Sequence, residues 1–172
     1  DQHHMVKLEC ARDFLFHTRA SRGQGGLVIG CPAYTVDPGG DFNESADSEI
    51  RRSLLTDLAA LPPLPFADLE AQEVAASLQT LPKTGIFASK RLVLDAAGYS
   101  VIHIATHGFF DLKEESNALY SSCLFFAGTA DWARTGQSSA RFGNGILTAD
   151  EISRLDLRSV ELVVLSSCLN GM

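Results

Sequence analysis

The chain has 172 residues, 45% of them hydrophobic and 20% charged, with ten phenylalanines and one tryptophan. That length and apolar content suit one folded domain with its own core and exclude a chain too polar to fold. Fourteen basic against twenty-one acidic side chains leave a formal charge of −7, so no basic stripe is present to displace counterions from phosphates, and nucleic acid is not an expected partner.

No apolar run approaches the length that crosses a bilayer, and no membrane partner is expected. The opening Asp1-Gln2-His3-His4-Met5 lacks the charged-then-apolar plan of a signal peptide and resembles the remnant of an expression tag. Residues 1–24 read as a lead-in and residues 25–172 as the domain. The densest basic stretch, Arg12 to Arg22 with His17, is too sparse to alter the charge argument. Cys10, Cys31, Cys123 and Cys168 lie far apart, and three of them sit in apolar runs. Reduced thiols of a cytoplasmic protein have that pattern.

Gly25-Gly26 leads into Leu27-Val28-Ile29-Gly30-Cys31, a buried-strand pattern closed by Pro32. Residues 34–48 collect Pro, Gly, Asn and acids, which is loop chemistry. Ile50, Leu54, Leu55 and Leu58 recur at helical spacing behind a Ser48 cap, predicting a helix from Ser48 to Leu61 that Pro62-Pro63 breaks. A second helix is expected from Asp68 to Leu78, with Leu69, Val74 and Leu78 near one stripe. Gly85-Ile86-Phe87 suggests a short strand, and Lys90 to Ala97 a third helix ended by Gly98.

Residues 99–106 are rich in β-branched side chains and run straight into His107-Gly108. Phe109 to Asn144 reads as an excursion, with 121–127 as one strand of a hairpin and 134–145 as a mobile loop. Thr148 and Glu151 stand at capping-box spacing before a short helix. Val160-Glu161-Leu162-Val163-Val164-Leu165 is a second apolar strand, and it runs into Ser166-Ser167-Cys168. Strands that alternate with helices and are apolar on nearly every residue imply an α/β fold with a mostly parallel sheet covered on both faces. Chemistry in such sheets sits beyond the carboxyl ends of strands, where His107 and Cys168 both fall.

A thiol becomes a good nucleophile as thiolate, and a nearby imidazole is the usual agent. If the two strands pair side by side, about 4.8 Å apart, His107 and Cys168 face one another as a dyad. The backbone N–H groups of Gly108 and Cys168 can then form an oxyanion hole, where one donor is worth roughly 3 kcal/mol. A cysteine after a strand is more often a small core residue, and a histidine there more often caps its loop. Spacing alone leaves both readings open.

Three motifs in order carry a resemblance. Val101-Ile102-His103-Ile104-Ala105-Thr106-His107-Gly108 is similar to the histidine motif H-x-A-T-H-G of the CHAT domain family. Asn144-Gly145-Ile146-Leu147-Thr148-Ala149-Asp150-Glu151-Ile152 resembles its D-G-x-L-T-A-x-E-I stretch. Ser159-Val160-Glu161-Leu162-Val163-Val164-Leu165-Ser166-Ser167-Cys168-Leu169-Asn170-Gly171 resembles its cysteine motif, L-V-V-L-S-A-C-E-T-G. The resemblance implies a caspase-like three-layer sandwich, kin to caspases, separases and gingipains. It implies a cysteine endopeptidase in which His107 moves the proton and Cys168 attacks a peptide bond of a protein substrate. It further implies control by a partner protein or an attached tetratricopeptide-repeat region. The alternative is a catalytically silent or gated interaction module.

Asn144 stands where the family has Asp, and Ser167, Leu169 and Asn170 depart from A-C-E-T, departures that touch substrate contacts more than the dyad. Met172 follows Cys168 by four residues, so this chain is expected to be the amino-terminal part of the domain. No cofactor or metal is expected. His103 and His107 on one strand stand about 13 Å apart without a third ligand, and His103 reads as a buried, hydrogen-bonded core residue. Gly23 to Gly26 precedes a strand rather than opening a helix, unlike a phosphate loop. Ser166 and Ser167 lack the glycine-flanked elbow of a serine nucleophile. The acidic cluster Asp111, Glu114 and Glu115 reads as a solvated loop.

Overall fold

Leu27, Val28 and Ile29 are almost completely buried, as are Ile102, Ile104 and Ala105, because both runs are interior strands of one parallel sheet. The structure is a computed structural model describing residues 23–37, 64–110 and 122–167; the helix expected at 48–61 lies outside them. Four strands, β1 (Gly26–Pro32), β2 (Lys83–Gly85), β3 (Val101–Ala105) and β7 (Leu162–Ser166), lie in the order β2-β1-β3-β7. Every pairing is parallel, with Val28 beside His103 and His103 beside Val164. The sheet carries helices on both faces, the α/β arrangement of a caspase-like sandwich.

Alternate side chains of the strands feed two layers. On one face Leu27, Ile29, Ile102 and Ile104 pack with Val93, Ala96, Leu124, Phe126 and Leu147. On the other, Val28 packs with Ala71 and Ala75 of α1 (Pro65–Ser77). That helix opens with a proline at its first position, where no donor is lost, so it starts before the expected Asp68. Val74 and Leu78 pack on the core as predicted. Leu69 does not: it is 55% exposed, and Ala67, Ala71 and Ala75 form the buried stripe. Gly30 supplies the reason, since a Cβ there would stand 2.6 Å from the Ala67 carbonyl oxygen and from the Ala71 methyl. The helix lies so close to β1 that only small residues fit beneath it.

Other boundaries move for local reasons. The short strand occupies Lys83–Gly85 rather than 85–87, and Ile86 and Phe87 turn outward. The expected third helix divides into α2 (Lys90–Leu94), whose Ser89 cap accepts the Arg91 N–H, and a 3-10 turn, Ala96–Gly98. The apolar run ending at Leu165 was expected to be covered on both faces. Instead β7 is an edge strand of the described sheet, with Val163 43% and Leu165 52% exposed.

A second, antiparallel sheet, β4 (Gly108–Phe110), β5 (Ser122–Phe125) and β6 (Ile146–Thr148), contains the expected hairpin strand. Between β5 and β6, α3 (Thr129–Thr135) is followed by a paired Ser139 and Gly143, which exchange backbone hydrogen bonds of 2.9 and 2.8 Å. The 134–145 stretch, expected to be mobile, is thus partly helical and partly closed on itself. α4 (Ala149–Ser153) begins with the predicted capping box, Thr148 and Glu151 bonding reciprocally. No described helix is long and apolar enough to cross a membrane.

Candidate active site

His107 lies just past the carboxyl end of β3 and is 3% exposed. Its backbone N–H donates to the Tyr34 hydroxyl at 3.3 Å. That hydroxyl lies 3.1 Å from Thr106 Oγ1, which itself donates to the Phe125 carbonyl at 2.5 Å. Thr106 has one hydroxyl hydrogen, so Tyr34 must be the donor to it, and the chain runs one way from His107 to Phe125. Burial pushes the Tyr34 phenol up, against the smaller lowering effect of its contacts with Thr106 and the His107 N–H; the hydroxyl stays protonated and able to donate. The Tyr34 ring also tilts over the imidazole, centroids 5.7 Å apart.

Tyr34 is held in turn by α3. Gly128 and Ala130 donate to the carbonyls of Ala33 and Tyr34, and the Asp131 carboxylate accepts the N–H groups of Val36 and Asp37 at 2.7 and 3.0 Å. Strand-end placement is the signal in the sequence, because Tyr34 follows β1 as His107 follows β3, although the composition of residues 34–48 is that of a loop.

Gly108 opens β4 opposite Leu124. The Phe125 N–H donates to the His107 carbonyl, which makes Gly108 and Leu124 a non-hydrogen-bonded pair. The N–H of Gly108 therefore points away from β5. A Cβ at Gly108 would stand 3.3 Å from Ser167 Oγ and from a Leu124 methyl. The residue preceding Cys168 thus lies against the residue following His107.

β7 brings that about. Ala105 pairs with Ser166, and the Thr106 N–H donates to the Ser166 carbonyl at 3.2 Å. His107 and Cys168 are each two positions beyond this pair in sequence; Cys168 itself lies outside the described residues, as do Asp111, Glu114 and Glu115. Of the other thiols, burial pushes Cys123 up to about 12. Burial, with Asp68 nearby, also raises Cys31. Neither has the surroundings of an activated nucleophile.

His103 is buried, as expected. Its Nε2 stands 3.1 Å from Glu70 Oε1 but is not aligned for a hydrogen bond, so the hydrogen bond expected of His103 is not made at this nitrogen. The other Glu70 oxygen accepts the Ser166 hydroxyl at 3.0 Å. Nothing in the sequence marked Glu70. Among the described residues no group of three His, Cys, Asp or Glu side chains could hold a metal.

The Asn144–Ile152 motif has a structural role here. Lys90, 8% exposed, donates to Asn144 Oδ1 at 2.8 Å, to the Ile146 carbonyl at 2.7 Å and to Glu151 Oε1 at 2.9 Å. Asn144 Oδ1 also accepts the Ile146 N–H. An amide oxygen serves both contacts, so Asn in place of the family's Asp leaves the clasp intact. Burial raises the Glu151 carboxyl, but the Thr148 N–H and the Lys90 ammonium outweigh it and hold it below its ordinary value.

No curated protein and no solved structure matched the chain. A family model described as the CHAT domain matches residues 10–172. With the α/β fold and the ordered histidine and cysteine motifs, that match shows that the chain belongs to the CHAT domain family.

Proposed function

We propose that this chain carries the catalytic pair of a caspase-like cysteine endopeptidase, with His107 as general base and acid and Cys168 as nucleophile. The register of β3 on β7 carries the reading, because it aligns Ala105 with Ser166 and so leaves the histidine and the cysteine equally far beyond one pair of strand ends. His107 takes the thiol proton, and the Cys168 sulfur attacks the scissile carbonyl. The Gly108 N–H, turned away from β5, and the Cys168 N–H stabilise the oxyanion. The C–N bond breaks as His107 passes its proton to the leaving amine, giving an acyl-thioester. Water, deprotonated by His107, then releases the acid and regenerates the thiol. The Tyr34–Thr106–Phe125 chain fixes the backbone from which the imidazole works.

The burial of His107 favours a gated form of this enzyme, opened by a partner protein or an attached repeat region, and working where thiols stay reduced, in the cytoplasm. A peptidyl electrophile should label the protein at Cys168, and Cys168→Ala should abolish labelling and cleavage together. Equal substrate processing by Cys168→Ala would sink the peptidase reading in favour of a silent interaction module.

A further inference from the structure

Glu70 projects from α1 onto the sheet, and its two oxygens meet two different strands. Oε1 lies 3.1 Å from His103 Nε2 on β3, and Oε2 accepts the Ser166 hydroxyl on β7 at 3.0 Å. His103 is four residues before His107, and Ser166 two before Cys168. The carboxylate stands between serine and histidine, so this is no nucleophilic triad: the imidazole is not placed to take the Ser166 proton.

A carboxylate facing a buried histidine normally serves that histidine alone. Here the second oxygen holds a hydroxyl at the carboxyl end of the edge strand. β7 has a described neighbour on one side only, and Val163 and Leu165 are exposed on one of its faces, so the Glu70 contact reaches its carboxyl end from the opposite face. The parallel ladder to β3, continued by the Thr106 N–H to the Ser166 carbonyl, sets the register. The Glu70 carboxylate adds a side-chain bond from α1 at the end of that ladder.

We propose that Glu70 is a positioning residue that ties the end of β7 to β3 and thereby holds the Cys168 thiol beside the His107 imidazole. The proposal rests on the dyad reading above.

The test is the pH dependence of alkylation of Cys168 by iodoacetamide in the 172-residue chain. Mass spectrometry follows the peptide Ser159–Met172, which holds no other cysteine. In the parent protein the rate should rise with a midpoint below the ordinary thiol value of about 8.5. Glu70→Ala should move that midpoint upward, with about tenfold slower alkylation at pH 6.5. Glu70→Gln, which keeps an acceptor for Ser166, should restore the parent profile. Ser166→Ala, which removes only the β7 tie, should shift the midpoint in the same direction and keeps the proposal testable if Glu70→Ala fails to fold. An unchanged profile in Ser166→Ala together with a shift in His107→Ala would overturn the positioning role and leave the dyad standing. An unchanged profile in His107→Ala would overturn the dyad, and the proposal with it.

Discussion

Replacing Lys90 by methionine keeps the aliphatic stem and removes the ammonium, leaving Asn144 Oδ1, the Ile146 carbonyl and Glu151 Oε1 without their shared donor. Breaking one partner out of a buried ion pair costs about 3–5 kcal/mol, because the remaining charge stays desolvated. The Glu151 side chain is 35% exposed, so water can take over part of its solvation. The expected loss is then about 2–3 kcal/mol. For a domain of this size that corresponds to a fall of about 5–10 °C in Tm. Urea unfolding and thermal melting of Lys90→Met, alone and with Glu151→Gln, measure the loss and the coupling between the two side chains. A single-mutant loss under about 0.5 kcal/mol, ordinary for a surface change, would refute the view that residues 144–152 exist to clasp this lysine.

The Glu151 carboxyl is held below its ordinary value, so its stabilisation is present above the unfolded pKa of about 4.3 and fades as pH falls through the lower folded value. The gap in urea midpoint between the parent protein and Glu151→Gln should therefore be constant near neutrality and close on acidification; a gap that widens toward acid would reverse the assigned sign. Cys123, pushed up to about 12, should alkylate about a thousandfold more slowly at neutral pH than a thiol at the unperturbed value, read by mass spectrometry after brief treatment. Tyr34→Phe keeps the ring over His107 but leaves its N–H and Thr106 without the bridging hydroxyl, and should cost about 1–2 kcal/mol in unfolding free energy as well as lowering kcat of any peptidase activity. Gly30→Ala should destabilise by about 1–3 kcal/mol through overpacking against Ala67 and Ala71, measured by thermal melting.

Dense apolar β-branched runs made β1 and β3 legible in the sequence, because an interior strand of a parallel sheet has no solvent face to mark with polar residues. β7 was equally legible as a parallel strand, but among the described residues Val163 and Leu165 are exposed at the sheet edge. Covering is a property of neighbours, and no neighbour is written in the strand. Capping chemistry at Thr148 and Glu151 could be read directly, being local. The helix face of α1 could not, since the closeness imposed by Gly30 overrode the preference for burying Leu69. At the site, His107 and Gly108 announced themselves by position and motif. Tyr34 and Glu70 did not: their contacts lie 72 and 96 residues away in sequence, which no periodicity records.

The pairing of β3 with β7 also has a temporal side. Val101 pairs with Leu162 across about 60 residues of intervening chain, a span comparable to the one closed when β1 pairs with β3, and both are non-local closures that must first overcome chain entropy. Until β7 docks on β3, the residues that follow β3 have no counterpart from the cysteine motif beside them. Docking of β7 is therefore the folding step that brings the histidine and cysteine motifs together, with Gly108 against Ser167.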